Sequence, residues 1–566
     1  MNRIDKIKER LFNYEFVTKK EWWGSGTTIL TDEQVKSEPL IIRKALATGY
    51  VLRNLPVEIK ADELIVGVAN MAMVGFGHVF PDYALPEEKE AAAKIALNEM
   101  SVWGHIPINY EKLLGLGLSG LRKQVTEKLA EELARENPDT KKMNLYHAMI
   151  LTLNALRDFA QRYSEAALAK ALEEQDAVRR QELLKISEIC SRVPEQPAET
   201  LWEALQSFWL TFAALHSCLE HIPTGRSDQY LYPYFQKDID SGRLSVEQAK
   251  DLLGSWMAKF GERVQLKAEH WEDHFTYGDF SQGGDPVDAS VNITLDNSES
   301  YNYGISANHW LINMILGGQT RDGKDATNEL TYLLLEVWGY LEAVVPVMSV
   351  RFHQNSPHRL YEACARILRK GAGEPAIYND EPIIEGFVKM GIPVEDARDY
   401  ANDGCWETLI PGKTDFSYSH AEVLLLLEYV FNRGISLLRG TKEGLDTGDP
   451  TEFADFEEFY QAFKTQLDAR LNHLIDNKLK YYAELYKIAP DPLISSMLDG
   501  PIEKGLDLSE GGASYIIHSP IITGLANCVD SLAAVKKLVY EEKAVTMAEL
   551  IEALKANFEG REPLRQ

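Results

Sequence analysis

The sequence predicts a helix-rich α/β protein folded around one set of strands. Amphipathic stretches with N-terminal caps recur along it, for example after Ser245 and Thr546. Short apolar or glycine-containing runs lie between them, such as residues 344–350 and 511–517, and have the length of buried strands. Neither a tandem repeat nor a linker rich in Pro, Gly and Ser divides the chain. We therefore expect a single domain over residues 1–566.

The individual elements follow from local patterns. A helix is expected over Leu40–Asn54, because the next residue precedes a proline and is disfavoured in a helix. The apolar run 63–67 predicts a short buried strand, and residues 113–189 have a helical, strongly charged pattern. The glycine-rich run 317–323 lacks the spacing and the lysine of a phosphate-binding loop. It predicts a turn before a helix that begins at Asn328.

Composition narrows the classes of protein. The chain has 566 residues, with 59 basic and 86 acidic side chains and a net charge of −27, which argues against nucleic acid or an anionic membrane as partner. No apolar run of about 18 residues predicts a membrane span, and the charged N-terminus does not resemble a signal peptide. Five widely spaced cysteines predict free thiols. We expect a cytoplasmic protein.

One short stretch, residues 399–408, carries the chemistry. It has no helical period, and Gly404 and Gly412 punctuate it, so we expect a loop. In extended backbone, side chains two residues apart point the same way, so Cys405 and Glu407 can face one cavity. They would supply a thiol that gives up hydrogen and a base that takes a proton. The alternative is that Cys405 is a small buried apolar residue.

Two histidines offer a different chemistry. His270 and His274 lie one helical turn apart, as zinc ligands do. The residues between them do not match the metalloprotease order, and no third ligand is evident. A surface helix explains them better, so we expect no metal site, and a metallohydrolase is a distant alternative.

A polar loop, residues 220–230, carries more hydrogen-bonding groups than a structural loop needs. Arg226 and Asp228 can form a buried ion pair that shapes it. Glu220 and His221 are the better candidates for a functional site.

The stretch Gly404-Cys405-Trp406-Glu407 resembles the Gly-Cys-x-Glu signature of the glycyl radical enzymes, in particular their dehydratase and eliminase branch, which includes glycerol dehydratases. Further segments resemble family blocks and follow in family order, over nearly the whole chain. These segments are 225–234, 373–380, 511–515 and 530–537.

The resemblance implies a ten-stranded α/β barrel built from two half-barrels, with the Cys405 loop at its centre. It also implies a mechanism. Hydrogen passes between a glycyl radical and Cys405 at little net cost, and the thiyl radical abstracts hydrogen from a substrate carbon. Glu407 then removes a hydroxyl proton as a general base, and a neighbouring group leaves. A closed, dry site protects the radicals.

The resemblance also assigns substrate-binding residues. His105 matches a substrate-contacting histidine, and Glu220 and His221 fall where dehydratases place polar residues. Two positions depart from the family pattern. Ser419 stands where diol dehydratases carry an aspartate, and Tyr515 is kept but is followed by isoleucine in place of asparagine. A rearranged pocket is therefore expected.

Family members end in a glycine-loop domain with an Arg-Val-x-Gly-Tyr motif, which this sequence lacks. The expectation is a barrel whose C-terminal part is missing. Either the sequence is truncated, or the enzyme is split and this chain is its large subunit; we favour the split enzyme. A small glycyl radical subunit would then be its partner. A radical-SAM activase, which uses S-adenosylmethionine and a 4Fe-4S cluster, would install the radical, and no cofactor would bind to this chain itself. A homodimer of the large subunit is also compatible with the family.

The leading prediction is thus a two-component glycyl radical lyase of anaerobic metabolism that removes water from a small hydroxylated compound. Cleavage of a C–N bond, a C–S bond or a carboxyl group by the same cysteine is the alternative within lyases. A barrel remnant that binds a ligand or partner without chemistry is the alternative outside catalysis. The presence of both Cys405 and Glu407 argues against that last reading.

Overall fold

The computed structural model describes residues 3–12, 27–68, 80–95, 97–98, 105–218, 222–261, 312–342, 345–371, 373–404 and 406–566. The chain forms two compact units. The first extends to Phe416 and resumes over Glu484–Ile517, and the second comprises Ser417–Ala483 and His518–Gln566. The single domain expected over residues 1–566 stays a prediction.

Helices dominate the described residues. Their bounds are Arg3–Phe12, Glu33–Ser37, Leu40–Asn54, Pro86–Ala93, Tyr110–Leu133, Thr140–Glu173, Ala177–Arg192, Leu201–Ser217, Ser227–Tyr230, Tyr232–Asp240, Val246–Gly261, Glu329–Leu341, His358–Leu368, Asp380–Lys389, Val394–Ala397, Val423–Phe431, Phe456–Glu484, Pro492–Ser495, Pro501–Lys504, Leu525–Val535, Met547–Lys555 and Glu562–Arg565. The helix predicted over Leu40–Asn54 is confirmed, and so is the helix capped by Asn328. None of the helices in these described ranges is long and apolar enough to cross a membrane.

A three-stranded parallel sheet lies in the first unit. Strands β1 (Asn313–Gly317), β2 (Val347–Phe352) and β3 (Ala376–Asn379) pair in that order. Helices Glu329–Leu341 and His358–Leu368 connect them, as parallel strands require. The sheet is therefore built from two consecutive βαβ units.

The two faces of this sheet differ in chemistry. The register places every second residue of each strand on one face, and that face carries the polar side chains Asn313, Ser349, Arg351 and Tyr378. The opposite face carries buried apolar residues, and its Phe352 stacks on the ring of Tyr361 in the following helix. One face thus packs against helices, and the side chains of the other face can form hydrogen bonds with backbone groups.

The strand predicted over 63–67 is wrong, although the segment is buried. Side chains of the Leu201–Ser217 helix satisfy its backbone in place of a neighbouring strand. The amide of Gln206 accepts from Val66 N at 2.9 Å and donates to Val66 O at 2.7 Å. The indoles of Trp202 and Trp209 donate to further carbonyls of the segment. Because these partners come from a helix, no strand ladder forms here.

The loop predicted over 399–408 is also corrected, since it contains two short strands. Strands β4 (Ala401–Asp403) and β5 (Glu407–Leu409) form an antiparallel hairpin. Farther along the chain, β6 (Thr414–Glu422) and β7 (Tyr515–Thr523) pair with each other. The second unit has its own apolar core, which includes Val430, Phe459 and Phe463.

Candidate active site

The β4–β5 hairpin brings two carboxylates face to face. Asp403 and Glu407 are register partners at the end of the ladder, and both are buried. Trp406 N donates to Asp403 O at 3.1 Å, and Trp406 has a positive φ of 84°. Positive φ in a residue other than glycine costs about 1–3 kcal/mol and is concentrated at functional sites. Cys405, which lies between Gly404 and Trp406 in sequence, is outside the described residues.

Each strand of the parallel sheet holds this hairpin with one polar side chain. From β1, Asn313 Nδ2 donates to Gly404 O at 3.2 Å. Asn402 Nδ2 donates to Ser349 Oγ of β2 at 3.0 Å and to Tyr378 Oη of β3 at 3.1 Å. The polar face of the sheet therefore fixes the hairpin directly before position 405.

Two buried arginines fix the chain that enters the hairpin. Arg351 forms an ion pair with Asp380 at 2.8 Å, donates to Tyr400 O at 2.7 Å, and lies over the Tyr400 ring. Arg226 Nη1 donates to Asp399 at 2.8 Å. Breaking a buried pair of this kind costs about 3–5 kcal/mol, so the entry to the hairpin is rigid.

The predicted Arg226–Asp228 ion pair is replaced by other contacts. Arg226 donates to Asp399, whereas Asp228 accepts from Gly317 N at 2.8 Å and from Thr331 Oγ1 at 2.6 Å. Both residues shape the loop, as expected, but with different partners. The carboxylate of Asp228 accepts hydrogen bonds from the end of a strand and the start of a helix in place of an ion pair with an arginine. Sequence spacing does not show which of these partners a carboxylate takes.

His105 completes the cluster around Gly404. Its Nδ1 lies 3.2 Å from Asp403 Oδ2. A Cβ added at Gly404 would lie 2.0 Å from His105 Cε1 and 2.7 Å from Glu407 Oε2, and Gly404 has a φ of +55°. Only glycine leaves room for this approach. Thus the imidazole and the Glu407 carboxylate both pack on the residue directly before Cys405.

The electrostatics of the cluster favour a charged histidine. Burial by itself lowers the pKa of His105, but the carboxylates of Asp403 and Glu407 outweigh burial, and the net pKa is raised. Burial raises the pKa of the Tyr378 phenol, and the same two carboxylates raise it further. Tyr378 is therefore a neutral donor, and the two carboxylates shift His105 toward its protonated form.

Ser419 lies in the second unit, against a histidine that the sequence did not single out. Its Oγ is 2.8 Å from His518 Nε2, and Ser417 Oγ is 3.0 Å from His518 Nδ1. Burial lowers the pKa of His518, and the charge of Lys478 lowers it further. Ser419 thus belongs to a neutral cluster of two hydroxyls and one imidazole.

Tyr515 belongs to a third cluster, centred on Asp396. Its hydroxyl donates to Asp396 Oδ2 at 2.6 Å, and Lys413 Nζ lies 2.6 Å from Asp396 Oδ1. Arg321 also pairs with Asp396. Burial and the hydrogen bond to Asp396 raise the pKa of Tyr515 to about 12. A substrate-binding role of Tyr515 stays a prediction.

Several predicted residues cannot be located. Glu220, His221, Cys405, His270 and His274 all lie outside the described residues. Within the part of the chain that is described, no cluster of three or more His, Cys, Asp or Glu is placed to hold a metal ion.

Asp403 is the site residue that sequence reasoning missed. Alternation in extended backbone, which pairs Cys405 with Glu407 in the sequence, would equally have pointed to Asp403. The structure departs from extended backbone at Gly404 and Trp406, whose φ values are positive in the turn between the two strands. The same alternation could have revealed the polar face of the sheet, since Ser349 and Arg351 alternate within an apolar run. Both signals are present in the sequence.

Comparisons with known proteins identify the family of the chain. The family model described as pyruvate formate lyase-like matches residues 84–566. The isethionate sulfite-lyase of Oleidesulfovibrio alaskensis is 33% identical over 491 residues, which cover 82% of this chain and 53% of that protein. The (2S)-3-sulfopropanediol dehydratase of Klebsiella oxytoca is 32% identical over 474 residues, covering 81% and 53%. The chain thus spans about half the length of these curated relatives.

The fold is shared with a solved structure. The glycerol-bound B12-independent glycerol dehydratase from Clostridium butyricum matches with a TM-score of 0.80 and 28% identity, over 100% of this chain and 74% of that one. This likeness confirms the predicted fold class, a helix-rich α/β barrel of the glycyl radical enzyme type. Family model, relatives and fold lead to one conclusion: the chain belongs to the pyruvate formate lyase-like family.

Proposed function

We propose that this chain is the large catalytic subunit of a two-component glycyl radical lyase that eliminates water from a small hydroxylated compound. One observation carries the proposal. His105 and Glu407 both pack on Gly404, so an acid and a base converge at the backbone that leads into Cys405. The names of the relatives, a sulfite-lyase and a dehydratase, support elimination as the reaction class.

A glycyl radical supplies an acceptor for the hydrogen atom of the Cys405 thiol. Cys405 then takes hydrogen from the substrate carbon that bears a hydroxyl group. Glu407 removes the proton of that hydroxyl, and His105 as imidazolium gives its proton to the hydroxyl group that leaves from the next carbon. Water departs, a carbonyl forms, and the product radical recovers hydrogen from Cys405. Overall, one substrate molecule is converted to one carbonyl compound and one water molecule.

In the proposed two-component arrangement, this chain supplies Cys405 and Glu407. A small second polypeptide would carry the glycyl radical, and a radical-SAM activase would install it. We place the enzyme in the cytoplasm, where free thiols stay reduced. A homodimer of the large subunit is compatible with this assignment.

Elimination of sulfite is the second candidate, because the isethionate sulfite-lyase of Oleidesulfovibrio alaskensis is 33% identical to this chain. The site itself favours water. Hydroxide is a poor leaving group that needs a proton, and His105 supplies one, whereas sulfite can leave as an anion. Anaerobic product analysis on vicinal diols and on hydroxysulfonates would separate the two reactions.

Two variants test the proposal. In the activated complex, Cys405→Ala and Glu407→Gln should each abolish product formation. Only Glu407→Gln should still exchange hydrogen with a substrate deuterated at the hydroxyl-bearing carbon, because it keeps the thiol. Product formation by Cys405→Ala would contradict the assignment of a radical mechanism.

A further inference from the structure

Asp403 has no role in the reaction described above, although it contacts His105 directly. The two residues are 298 positions apart in sequence, and their side chains are 13% and 0% exposed. His105 has a positive φ of 67°, a conformation that residues other than glycine adopt only when surrounding contacts impose it. The imidazole is therefore held by tertiary contacts.

Asp403 is itself rigidly placed. It pairs in register with Glu407, and the residues on either side of it are tied to the sheet. Asn402 donates to β2 and β3, and Gly404 O accepts from Asn313 of β1. Its carboxylate can therefore serve as a fixed reference for the orientation of the histidine ring.

The contact also selects one nitrogen of the ring. Nδ1 lies 3.2 Å from Asp403 Oδ2, and the ring edge formed by Nδ1 and Cε1 packs on Gly404. With Nδ1 donating to the carboxylate, the proton delivered to a substrate comes from Nε2. A carboxylate behind an imidazole in this way fixes both the tautomer and the ring orientation.

The groups that face His105 come from several elements. The hairpin contributes Asp403 and Glu407, and the ring of Phe416 in β6 lies 6.0 Å from the imidazole. Tyr110 and Tyr378 adjoin the carboxylates and are neutral, because burial raises the pKa of each phenol. Asp403 and Glu407 both raise the pKa of His105, and Asp403 Oδ2 lies 3.2 Å from its Nδ1.

We propose that Asp403 is a positioning residue that holds the His105 ring and its proton against the hairpin, so that Nε2 serves as the acid of the elimination. This inference rests on the proposed function for its catalytic part. The coupling between the two side chains can be measured without any turnover.

The test is a histidine titration of the isolated full chain. The protein is labelled with ¹³C at His Cε1, and the resonance of His105 is assigned by its loss in His105→Gln. We expect Asp403→Asn to move the midpoint of His105 to lower pH, because the favourable charge is removed. Asp403→Glu keeps the charge and should restore much of the wild-type midpoint.

Asp238→Asn is the matched control, since Asp238 is equally buried but pairs with Arg243 in place of a histidine. It should leave the His105 midpoint unchanged. An unchanged midpoint in Asp403→Asn, with the control also unchanged, overturns the proposal. So does a folded Asp403→Glu that titrates like Asp403→Asn.

The pH profile of the activated complex tests the catalytic part. In Asp403→Asn, kcat/KM should fall most at the high-pH end of the profile and recover toward the wild-type value as the pH is lowered and the histidine is protonated again. A uniform loss at all pH values contradicts the positioning role. If the midpoint moves but the wild-type complex shows no lyase activity, the proposed function fails while the Asp403–His105 coupling stands.

Discussion

The two histidine clusters of this protein, His105 in the first unit and His518 in the second, have opposite electrostatics. Both rings are partly withdrawn from water. Two carboxylates surround His105 and raise its pKa, whereas two hydroxyls and a nearby lysine accompany His518, whose pKa is lowered. Burial lowers the pKa of both rings, and the added effect of the two carboxylates reverses the shift only at His105.

The opposite pKa shifts of His105 and His518 predict different roles for the two residues. A protonated histidine beside a carboxylate base can drive an elimination, and a neutral histidine between two hydroxyls can only donate and accept hydrogen bonds. We therefore expect chemistry at His105 and, at most, recognition at His518.

Replacing each histidine in turn tests whether His105 and His518 have different roles. His105→Gln should lower kcat/KM of the activated complex by about 10²–10⁴-fold, the usual contribution of a general acid. His518→Gln should lower it less than about tenfold, since only hydrogen bonds are lost. Steady-state kinetics of the two variants measure both values, and equal losses would remove the distinction between the clusters.

Gly404→Ala tests the packing that brings His105 and Glu407 together. The added Cβ would meet both side chains, so we expect a loss of about 100-fold in kcat/KM, as for a misplaced reacting group. The matched control is Gly242→Ala. Its φ of +66° resembles the +55° of Gly404, but nothing lies within 4 Å of the added Cβ.

Both glycine variants should lose about 1–2 kcal/mol of unfolding free energy to the left-handed backbone, and Gly404→Ala should lose more because its Cβ overlaps His105 and Glu407. Only Gly404→Ala should also lose activity. Denaturant unfolding and kinetics of the two proteins, measured side by side, separate backbone cost from site geometry. An equal loss of activity in Gly242→Ala would show that general destabilisation explains the effect.

The pH dependence of stability should have opposite signs at the two histidines. The folded-state pKa of His105 is raised above its ordinary value near 6.5, so its stabilising effect is present at low pH and is lost as the pH rises through the raised value. The pKa of His518 is lowered, so protonation opposes folding as the pH falls below about 6.5. Urea unfolding of His105→Gln and His518→Gln against wild type, between pH 5.5 and 8, measures each contribution. The same sign for both would contradict the comparison.

The smallest effect is expected at the serines of the second cluster. If Ser419 binds substrate, Ser419→Ala should raise KM about fivefold, the equivalent of one hydrogen bond of about 1 kcal/mol, and leave kcat unchanged. Ser417→Ala removes the other hydroxyl bonded to His518 and is the matched control. Equal KM changes in both would assign Ser419 to structure alone.

Local patterns predicted the helices well, because caps and prolines act over a few residues. The helix over Leu40–Asn54 and the helix start at Asn328 are examples. The failure at 63–67 has a tertiary cause, since the partners of that backbone are side chains 140 residues away, such as Gln206. No local pattern encodes that substitution of a helix for a strand.

Some residues of the site were predicted from the sequence, and others were missed. Glu407 was predicted from its spacing to Cys405, and His105 from the family resemblance; the structure places both against Gly404. Asp403 was missed, because its role depends on the approach of a histidine from far away in the chain. His518 was missed for the same reason. Its partner Ser419 was identified only as a departure from the family pattern.

The most direct test of the central claim is an anaerobic EPR measurement. The chain is mixed with a small glycyl radical protein and the radical-SAM activase from the same organism, with S-adenosylmethionine. We expect a glycyl doublet on the small protein, and transfer of deuterium from labelled substrate to that glycine with the wild-type chain but not with Cys405→Ala. A doublet whose hydrogen never exchanges with substrate in the presence of the wild-type chain would contradict it.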